Sequence, residues 1–191
     1  MPVVRHRFGD FLPPGVRWIF LGTFNPEASC NPASFYYSRP QNHFWRLLPE
    51  IFGMPSLKNA PSEEKKFFSE QLNIGFIDLI RSVIVPSDCE CNFKDAYIDN
   101  KVIEWNNVTE LLSDLKTIDQ VLFTRKSFHD IPNIRKQIIS IQSFCEEKGI
   151  KFSLLPTPAR IYSIEKQRIW NKEFIWKDQN STLAQRQNHY L

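Results

Sequence analysis

The sequence contains no apolar run that approaches the roughly 18 residues needed to cross a membrane. Its first residues, MPVVRHRFGDF, also lack the continuous apolar stretch of a secretory signal peptide. These two absences favour a cytoplasmic protein with no membrane partner. The chain has 191 residues, of which 42% are hydrophobic. We expect one domain over residues 1–191, with a core at about 16–176 and a polar tail at 177–191.

Motifs that bind metals are also missing. The four cysteines, Cys30, Cys89, Cys91 and Cys145, include one Cys-x-Cys pair and no Cys-x-x-Cys pair, and their spacing fits no iron–sulfur cluster. The four histidines are scattered and lack the i, i+4 pairing of a helical zinc site. We therefore expect buried or idle free thiols, no metal and no cofactor.

The sequence also lacks the usual motifs of nucleotide-binding and serine enzymes. It has neither G-x-x-x-x-G-K-[S/T] nor G-x-G-x-x-G, so the common phosphate-binding loops are absent. There is no G-x-S-x-G elbow either. The net charge of +3 permits nucleic-acid binding without requiring it.

Short apolar segments alternate with helical patterns along the chain. The segments at 17–22 (RWIFLG), 118–123 (IDQVLF) and 150–156 (IKFSLLP) are predicted strands, and 74–80 (IGFIDLI) is a further apolar segment interrupted by an aspartate. Helices are predicted at 42–52, 62–72, 131–149 and 163–176. This alternation predicts an α/β domain with a mainly parallel sheet and helices on both faces.

Three unusual segments should meet at one edge of that sheet, because parallel sheets bind ligands outside the carboxyl ends of their strands. LGTFNPEAS follows the first predicted strand, and LLPTPARIYS ends the last. Close behind the first comes SFYYSRPQNHFW (34–45), which holds five aromatic residues in twelve. Rings stack on flat ligands, asparagine reads a base edge, and backbone N–H groups bind phosphate. Together the segments indicate a site for a flat heterocycle on a phosphate backbone.

The combination of LGTFNPEAS…FYYSRPQNHFWRLLPEIFG with LLPTPARIYSIEKQRIW resembles the uracil-DNA glycosylase superfamily. Its hypoxanthine-DNA glycosylase branch is the nearest, followed by the mismatch-specific uracil/thymine branch. The specific match is Y-Y-x-x-P-x-N-x-F-W at 36–45, and matching segments run from about Trp18 to Trp170. The resemblance implies a three-layer α/β/α sandwich with a central four-stranded, mainly parallel sheet.

The resemblance also implies an activity. The protein would be a monofunctional DNA glycosylase that flips uracil, hypoxanthine or a thymine opposite guanine out of duplex DNA and hydrolyses its N-glycosidic bond. It would act as a monomer and without a metal. Two other interpretations stay open: a non-catalytic base-binding module on the same fold, and a hydrolase of free nucleosides.

Two asparagines are the candidate catalytic residues under this resemblance. Asn42 matches the functional amide of P-x-N-x-F-W, although it is also well placed to cap the helix that follows. Asn25 corresponds to the asparagine of G-x-N-P in the mismatch-specific branch, but here one extra residue separates it from Gly22. Asn25 could equally be a turn residue before Pro26.

Further site residues follow from the same resemblance. Tyr37 is expected to stack on the base with Phe24 on the opposite wall, and Gly22, Thr23 and Asp78 complete the pocket. Asp78 could instead hold a loop by accepting bonds from backbone amides. The candidate DNA contacts are Arg39, Thr157, Pro158, Ala159 and Arg160. The last four could also form a simple tight turn, and Arg39 could be an ordinary surface residue.

Overall fold

The computed structural model describes residues 2–86, 91–159 and 161–174, and its centre is a sheet of four parallel strands. In order across the sheet these are β3 (Ile74–Asp78), β2 (Trp18–Gly22), β6 (Gln120–Phe123) and β7 (Lys151–Leu154). Trp18 on β2 lies opposite Ile74 on one side and Gln120 on the other. The predicted central parallel sheet is therefore confirmed.

Helices cover both faces of this sheet. One face packs against α1 (Phe44–Ile51), α2 (Ser62–Gln71) and α6 (Ile164–Glu173), and the other against α4 (Val108–Asp114) and α5 (Pro132–Glu147). Side chains of β2 alternate accordingly: Trp18 and Phe20 are buried in the first layer, and Ile19 and Leu21 in the second. The predicted α/β/α sandwich is confirmed.

A second, smaller sheet was not predicted from the sequence. It is antiparallel and contains β1 (Val3–Arg5), β4 (Ile80–Ile84) and β5 (Val102–Trp105), with the short helix α3 (Asp95–Ile98) between β4 and β5 in the chain. The apolar segment 74–80 contains all of β3 and the first residue of β4, which are separated by Leu79. Because no glycine or proline marks this break, the pattern could not show two strands there.

The last predicted helix, at 163–176, corresponds to α6. Ser163 is its N-cap, and the Ser163 side chain accepts a hydrogen bond from the backbone of Lys166.

No helix in the described part of the chain is long and apolar enough to cross a membrane. The predicted tail at 177–191 lies outside the described residues.

The expectation that the thiols are free is wrong for two of the four cysteines. Cys30 and Cys91 form a disulfide bond, with a Cα–Cα distance of 5.9 Å. Their sequence separation of 61 residues gave no spacing signal, because it is the fold that brings the two loops together. Cys145 is free and buried, as expected, and burial raises the pKa of its thiol to about 11. Cys89 lies outside the described residues.

Removing this crosslink should lower stability. A disulfide that closes a loop of this length restricts the unfolded chain, so we expect Cys30→Ser to reduce the free energy of unfolding by about 2–4 kcal/mol. Urea denaturation followed by circular dichroism measures this difference. A reducing agent should lower the stability of the wild-type protein to the same extent and leave Cys30→Ser unaffected. Equal stability of the oxidised wild type and the variant would contradict the prediction.

Candidate active site

A cavity of about 790 Å³ opens at the carboxyl ends of three strands of the central sheet. Gly22 and Thr23 line it at the end of β2, Phe123 and Thr124 at the end of β6, and the 156–159 loop after β7. Parallel sheets commonly bind ligands at this edge. Two of the three sequence segments that carry the predicted site therefore contribute strand ends to one cavity.

Tyr37 brings the third segment, 34–45, into the cavity. Its ring is parallel to that of Phe44, with 4.2 Å between the centroids and 9° between the planes. Its hydroxyl donates a hydrogen bond to the Leu21 carbonyl at 2.9 Å. The backbone of Tyr37 has φ 56°, which is uncommon for a residue other than glycine. One face of the ring is covered by Phe44, and Tyr37 lines the cavity, so we expect the other face to be the one that a flat ligand can contact.

The other four aromatic residues of the stretch do not line the cavity. Phe35, Tyr36, Phe44 and Trp45 are each no more than 3% exposed and pack together in the core layer that contains α1. The ring of Tyr36 stacks on Phe76 of the central sheet at 5.4 Å. The expectation that the whole stretch forms the pocket wall is corrected accordingly: most of its ring area fills the hydrophobic layer, and Tyr37 alone of the five reaches the cavity.

Asn42 lines the cavity and also supports the start of α1. Its Oδ1 accepts a hydrogen bond from the Phe44 backbone at 2.9 Å. Because a backbone N–H can only donate, this contact identifies the oxygen and leaves the amide nitrogen for other partners. Among the residues that the structure describes, that nitrogen has no hydrogen-bond partner. The N-cap of α1 is His43 and not Asn42, so the expected cap position is wrong by one residue. The Asn42 side chain still bonds the first residue of the helix, and this contact is compatible with a role toward a ligand.

Asn25 points away from the cavity. Its Nδ2 donates to Oδ2 of Asp78 at 2.7 Å, and neither residue lines the cavity. Asp78 is 2% exposed, and the same oxygen also lies 2.7 Å from Nε2 of His6. Asp78 therefore holds a loop through side chains rather than through the backbone amides that the alternative interpretation supposed. A catalytic role for Asn25 stays a prediction, and its position favours a supporting one.

The phenylalanine that lines the cavity is not the predicted one. Phe24 is 7% exposed and belongs to the core, so the structure does not bring it to the cavity. Phe93 packs against it, with ring centroids 5.9 Å apart, and lines the cavity instead. Phe93 follows the disulfide-bonded Cys91 closely in the chain. No periodic pattern surrounds it, so the sequence gave no reason to select it.

The 156–159 loop is a rigid turn attached to Asn42. The Thr157 hydroxyl accepts a bond from the Ala159 backbone at 3.3 Å, and the Pro158 carbonyl accepts one from the His43 backbone at 2.8 Å. Asn42 and Ala159 form an isolated antiparallel bridge. Lys166 in α6 donates to the Ala159 carbonyl at 3.3 Å. The loop is therefore both a tight turn and a wall of the cavity.

Two further residues, Arg39 and Arg160, are predicted DNA contacts. Arg39 does not line the cavity, and its Nε donates to Oδ1 of Asn31 at 3.2 Å. Burial lowers the pKa of Arg39 from its ordinary value. Arg160 lies outside the described residues. A contact of either residue with DNA stays a prediction.

A network of charged side chains in the cavity was missed by sequence reasoning. Thr23 donates to Asp95 at 2.7 Å, and Arg125 bonds Asp95 at 2.7 Å and Asp130 at 2.5 Å. Burial lowers the pKa of Arg125, but the bonds to the two carboxylates raise it by more, so the guanidinium stays charged. Parallel sheets bind ligands at the carboxyl ends of their strands, and Arg125 is the second residue after β6, so this rule could have indicated it. Asp95 lies 72 residues from Thr23 in the sequence, so no local pattern links them.

The cavity also carries three lysines, Lys94, Lys126 and Lys166. Burial lowers the pKa of Lys166 from its ordinary value. Lysines at the wall of an open cavity suit a ligand with negative charge. Within residues 2–86, 91–159 and 161–174, no group of three potential ligands is arranged to hold a metal ion.

A solved structure of another protein has a similar fold. It is the solution NMR structure of a proposed uracil DNA glycosylase from Methanosarcina acetivorans, with a TM-score of 0.62 over 88% of this chain and 95% of that chain. The two sequences are 18% identical. No family model and no curated protein matches the chain. The fold is that of this glycosylase-like protein.

The contact between Gly22 and Asp78 leads to a stability prediction. A Cβ at position 22 would lie 2.0 Å from Oδ1 of Asp78 and 3.3 Å from the Tyr37 hydroxyl. We expect Gly22→Ala to lower the free energy of unfolding by about 1–3 kcal/mol, the usual cost of overpacking. Gly9→Ala is the matched control, since a Cβ there meets nothing within 4 Å. Equal denaturation midpoints for the two variants would contradict the prediction.

Proposed function

We propose that this protein is a monofunctional DNA glycosylase of the uracil-DNA glycosylase superfamily, closest to its hypoxanthine and mismatch-specific branches. It flips uracil, hypoxanthine or a thymine opposite guanine out of duplex DNA and hydrolyses the N-glycosidic bond. One observation carries the proposal. The same cavity is lined by Tyr37, whose ring is covered by Phe44 on one face, and by Asn42, whose amide nitrogen has no hydrogen-bond partner among the described residues. The shared fold with a protein described in the same terms supports it.

The cavity provides both parts of an extruded nucleotide with a complementary surface. The free face of Tyr37 suits a planar base, because base–aromatic stacking contributes about 1–3 kcal/mol. Lys94, Lys126 and Lys166 line the same cavity and suit the phosphates on either side of the base. A single-domain enzyme of this kind can act as a monomer on duplex DNA. Flipping costs a few kcal/mol and least for a mispaired base, which favours damaged sites.

The proposed reaction replaces the C1′–N bond of the sugar by a C1′–O bond. The C1′–N bond breaks and its electron pair leaves with the base, while water adds its oxygen to the oxocarbenium-like carbon and releases a proton. The departing base gains negative charge, so a hydrogen-bond donor beside it lowers the barrier. The amide nitrogen of Asn42 is such a donor, because its oxygen is already occupied by the Phe44 backbone. Tyr37 holds the base in the plane that this donor requires.

The test is a base-excision assay with duplex and single-stranded oligonucleotides that contain uracil, hypoxanthine, xanthine or thymine opposite guanine. Heating in alkali cleaves each abasic product, which is separated on a denaturing gel. We expect strand cleavage at one or two of these bases in duplex DNA. Binding to damaged duplexes without any abasic product would instead indicate a non-catalytic base-binding module. Cleavage of free deoxyuridine or deoxyinosine would indicate a nucleoside hydrolase.

Asn42→Asp separates the two roles of Asn42. Aspartate offers an acceptor oxygen at the same position as asparagine, so the bond from the Phe44 backbone and the thermal stability should be kept. The variant has no amide nitrogen to donate, so we expect the rate constant for base release to fall by about 10²–10³-fold. Single-turnover kinetics measure this rate constant. If Asn42 only supports the start of α1, Asn42→Asp will retain wild-type activity and Asn42→Ala will be less stable.

Variants of Tyr37 test the stacking surface. Tyr37→Phe loses the hydroxyl bond to Leu21 but keeps the ring, so we expect base release within a few-fold of the wild type. Tyr37→Ala removes the ring and should lower kcat/KM by about 5- to 150-fold, from the energy of one base–aromatic stack. Steady-state kinetics on the preferred duplex provide the comparison. Equal loss in both variants would show that the hydroxyl, and not the ring face, is the important group.

A further inference from the structure

A buried cluster beneath the cavity joins the N-terminal strand to the end of β2. His6, which follows β1, has a side chain that is 4% exposed, and its Nε2 lies 2.7 Å from Oδ2 of Asp78. Asn25 donates to the same oxygen from its Nδ2, also at 2.7 Å. Three side chains from distant parts of the sequence therefore meet at one carboxylate. None of them lines the cavity itself.

The Asp78 carboxylate in turn lies against Gly22, which together with Tyr37 forms the part of the cavity wall that we call the floor. Its other oxygen, Oδ1, is buried and has no hydrogen-bond partner in the described part of the chain. This oxygen lies so close to Gly22 that a Cβ there would be 2.0 Å away. The Tyr37 hydroxyl would lie 3.3 Å from the same Cβ at position 22. Because Gly22 and Tyr37 both line the cavity, a shift of the carboxylate would change the shape of the floor.

The backbone around His6 is fixed to the segment after β2. Arg7 donates its N–H to the Asn25 carbonyl, and Glu27 donates to the Arg5 carbonyl, each at 2.8 Å. The N–H of His6 donates to the Arg81 carbonyl on β4 at 2.8 Å. The imidazole is therefore delivered to Asp78 by a framework that extends into the second sheet.

We propose that His6 is a positioning residue of this site: through Asp78 it holds Gly22 and the segment up to Asn25 in the geometry that base release requires. Asn25 belongs to the same support and acts on the shared carboxylate rather than on the reacting atoms. The kinetic part of this inference rests on the proposed glycosylase function. The structural part does not, because the contacts exist without a ligand.

The imidazole of His6 can gain or lose a proton without changing its position. The Nδ1 of His6 lies against both the carbonyl and the N–H of Phe8. A doubly protonated ring donates to this carbonyl and to Asp78, whereas a neutral ring can keep its bond to Asp78 and accept from the Phe8 N–H. Deprotonation therefore removes the positive charge beside a buried carboxylate without moving the ring. A buried carboxylate that loses its cation is less stable in its position.

The other charged and titratable groups that face His6 do not replace this charge. Arg81 on β4 is occupied by Asp10 and Asn106. The ring of Tyr36 lies 6.0 Å away, and burial raises its pKa, so it stays neutral. Burial lowers the pKa of His6, but the hydrogen bond and charge of Asp78 raise it by more, so that it lies above its ordinary value.

The direction of the pH effect follows from this shift. A group whose pKa is raised in the folded protein stabilises the structure fully below its unfolded value, which is about 6.5 for histidine. That stabilisation is lost as the pH rises through the folded pKa of His6. The floor of the cavity should thus be held best in mildly acidic solution. The rate constant for base release should fall on the alkaline side.

The kinetic experiment compares the wild type with His6→Gln by single-turnover base release across the neutral pH range. Glutamine keeps a donor toward Asp78 but cannot carry a charge. We expect a rate constant about 10- to 100-fold lower in acidic solution, since misplacement of a site by about 1 Å costs rates of this order. We also expect the alkaline decline to disappear, with little change in DNA affinity. A wild-type rate and pH profile in His6→Gln would overturn the proposal.

A second experiment needs no substrate and separates this inference from the proposed function. NMR titration of the wild type should place the pKa of His6 above 6.5, and in Asp78→Asn the pKa should fall. Amide exchange at residues 22–25 should be faster in His6→Gln. An unshifted pKa with unchanged exchange would overturn the proposal even in an active enzyme. An inactive wild type that shows both effects would refute only the glycosylase. If His6→Gln does not fold, the wild-type NMR pKa must still match the pKa of the alkaline decline in rate.

Discussion

The carboxylate of Asp78 is the contact on which the geometry of the site depends. It stands at the end of β3, opposite Gly22 on β2, and is almost completely buried. Burying a charge is unfavourable unless it is paired and hydrogen-bonded, and here His6 and Asn25 provide those bonds. The second sheet therefore contributes to a site on the first, because β1 delivers the histidine.

The two cavity residues Tyr37 and Asn42 are each held in place by contacts with other parts of the structure. Tyr37 is held by its stacking on Phe44 and by its bond to Leu21, and Asn42 is held by the start of α1 and by its bridge to Ala159. Side chains fixed in this way can present one ring face and one amide to a ligand with little further ordering. Such preorganisation is what a site must have if it stabilises charge on a departing group.

The predictable parts of the fold are those with a strong local signal. The strands of the central sheet are short apolar runs, and the motif at 36–45 indicated Tyr37 and Asn42, which both line the cavity. Contacts between distant residues left no such signal. The bond between Thr23 and Asp95 and the Cys30–Cys91 disulfide each join loops that are far apart in the sequence. The aromatic stretch gave a mixed outcome, because a ring that fills the core and a ring that faces a ligand look alike in a sequence.

The most direct test of the account is to detect the released base itself. Duplexes that carry uracil, hypoxanthine or a thymine opposite guanine would each be incubated with excess protein, and the free base and the intact abasic strand would be measured by mass spectrometry. If the protein is a DNA glycosylase, at least one duplex will give equal amounts of free base and abasic strand. Unmodified duplexes in every case after complete binding would contradict the account and would leave a protein that recognises a damaged base without removing it.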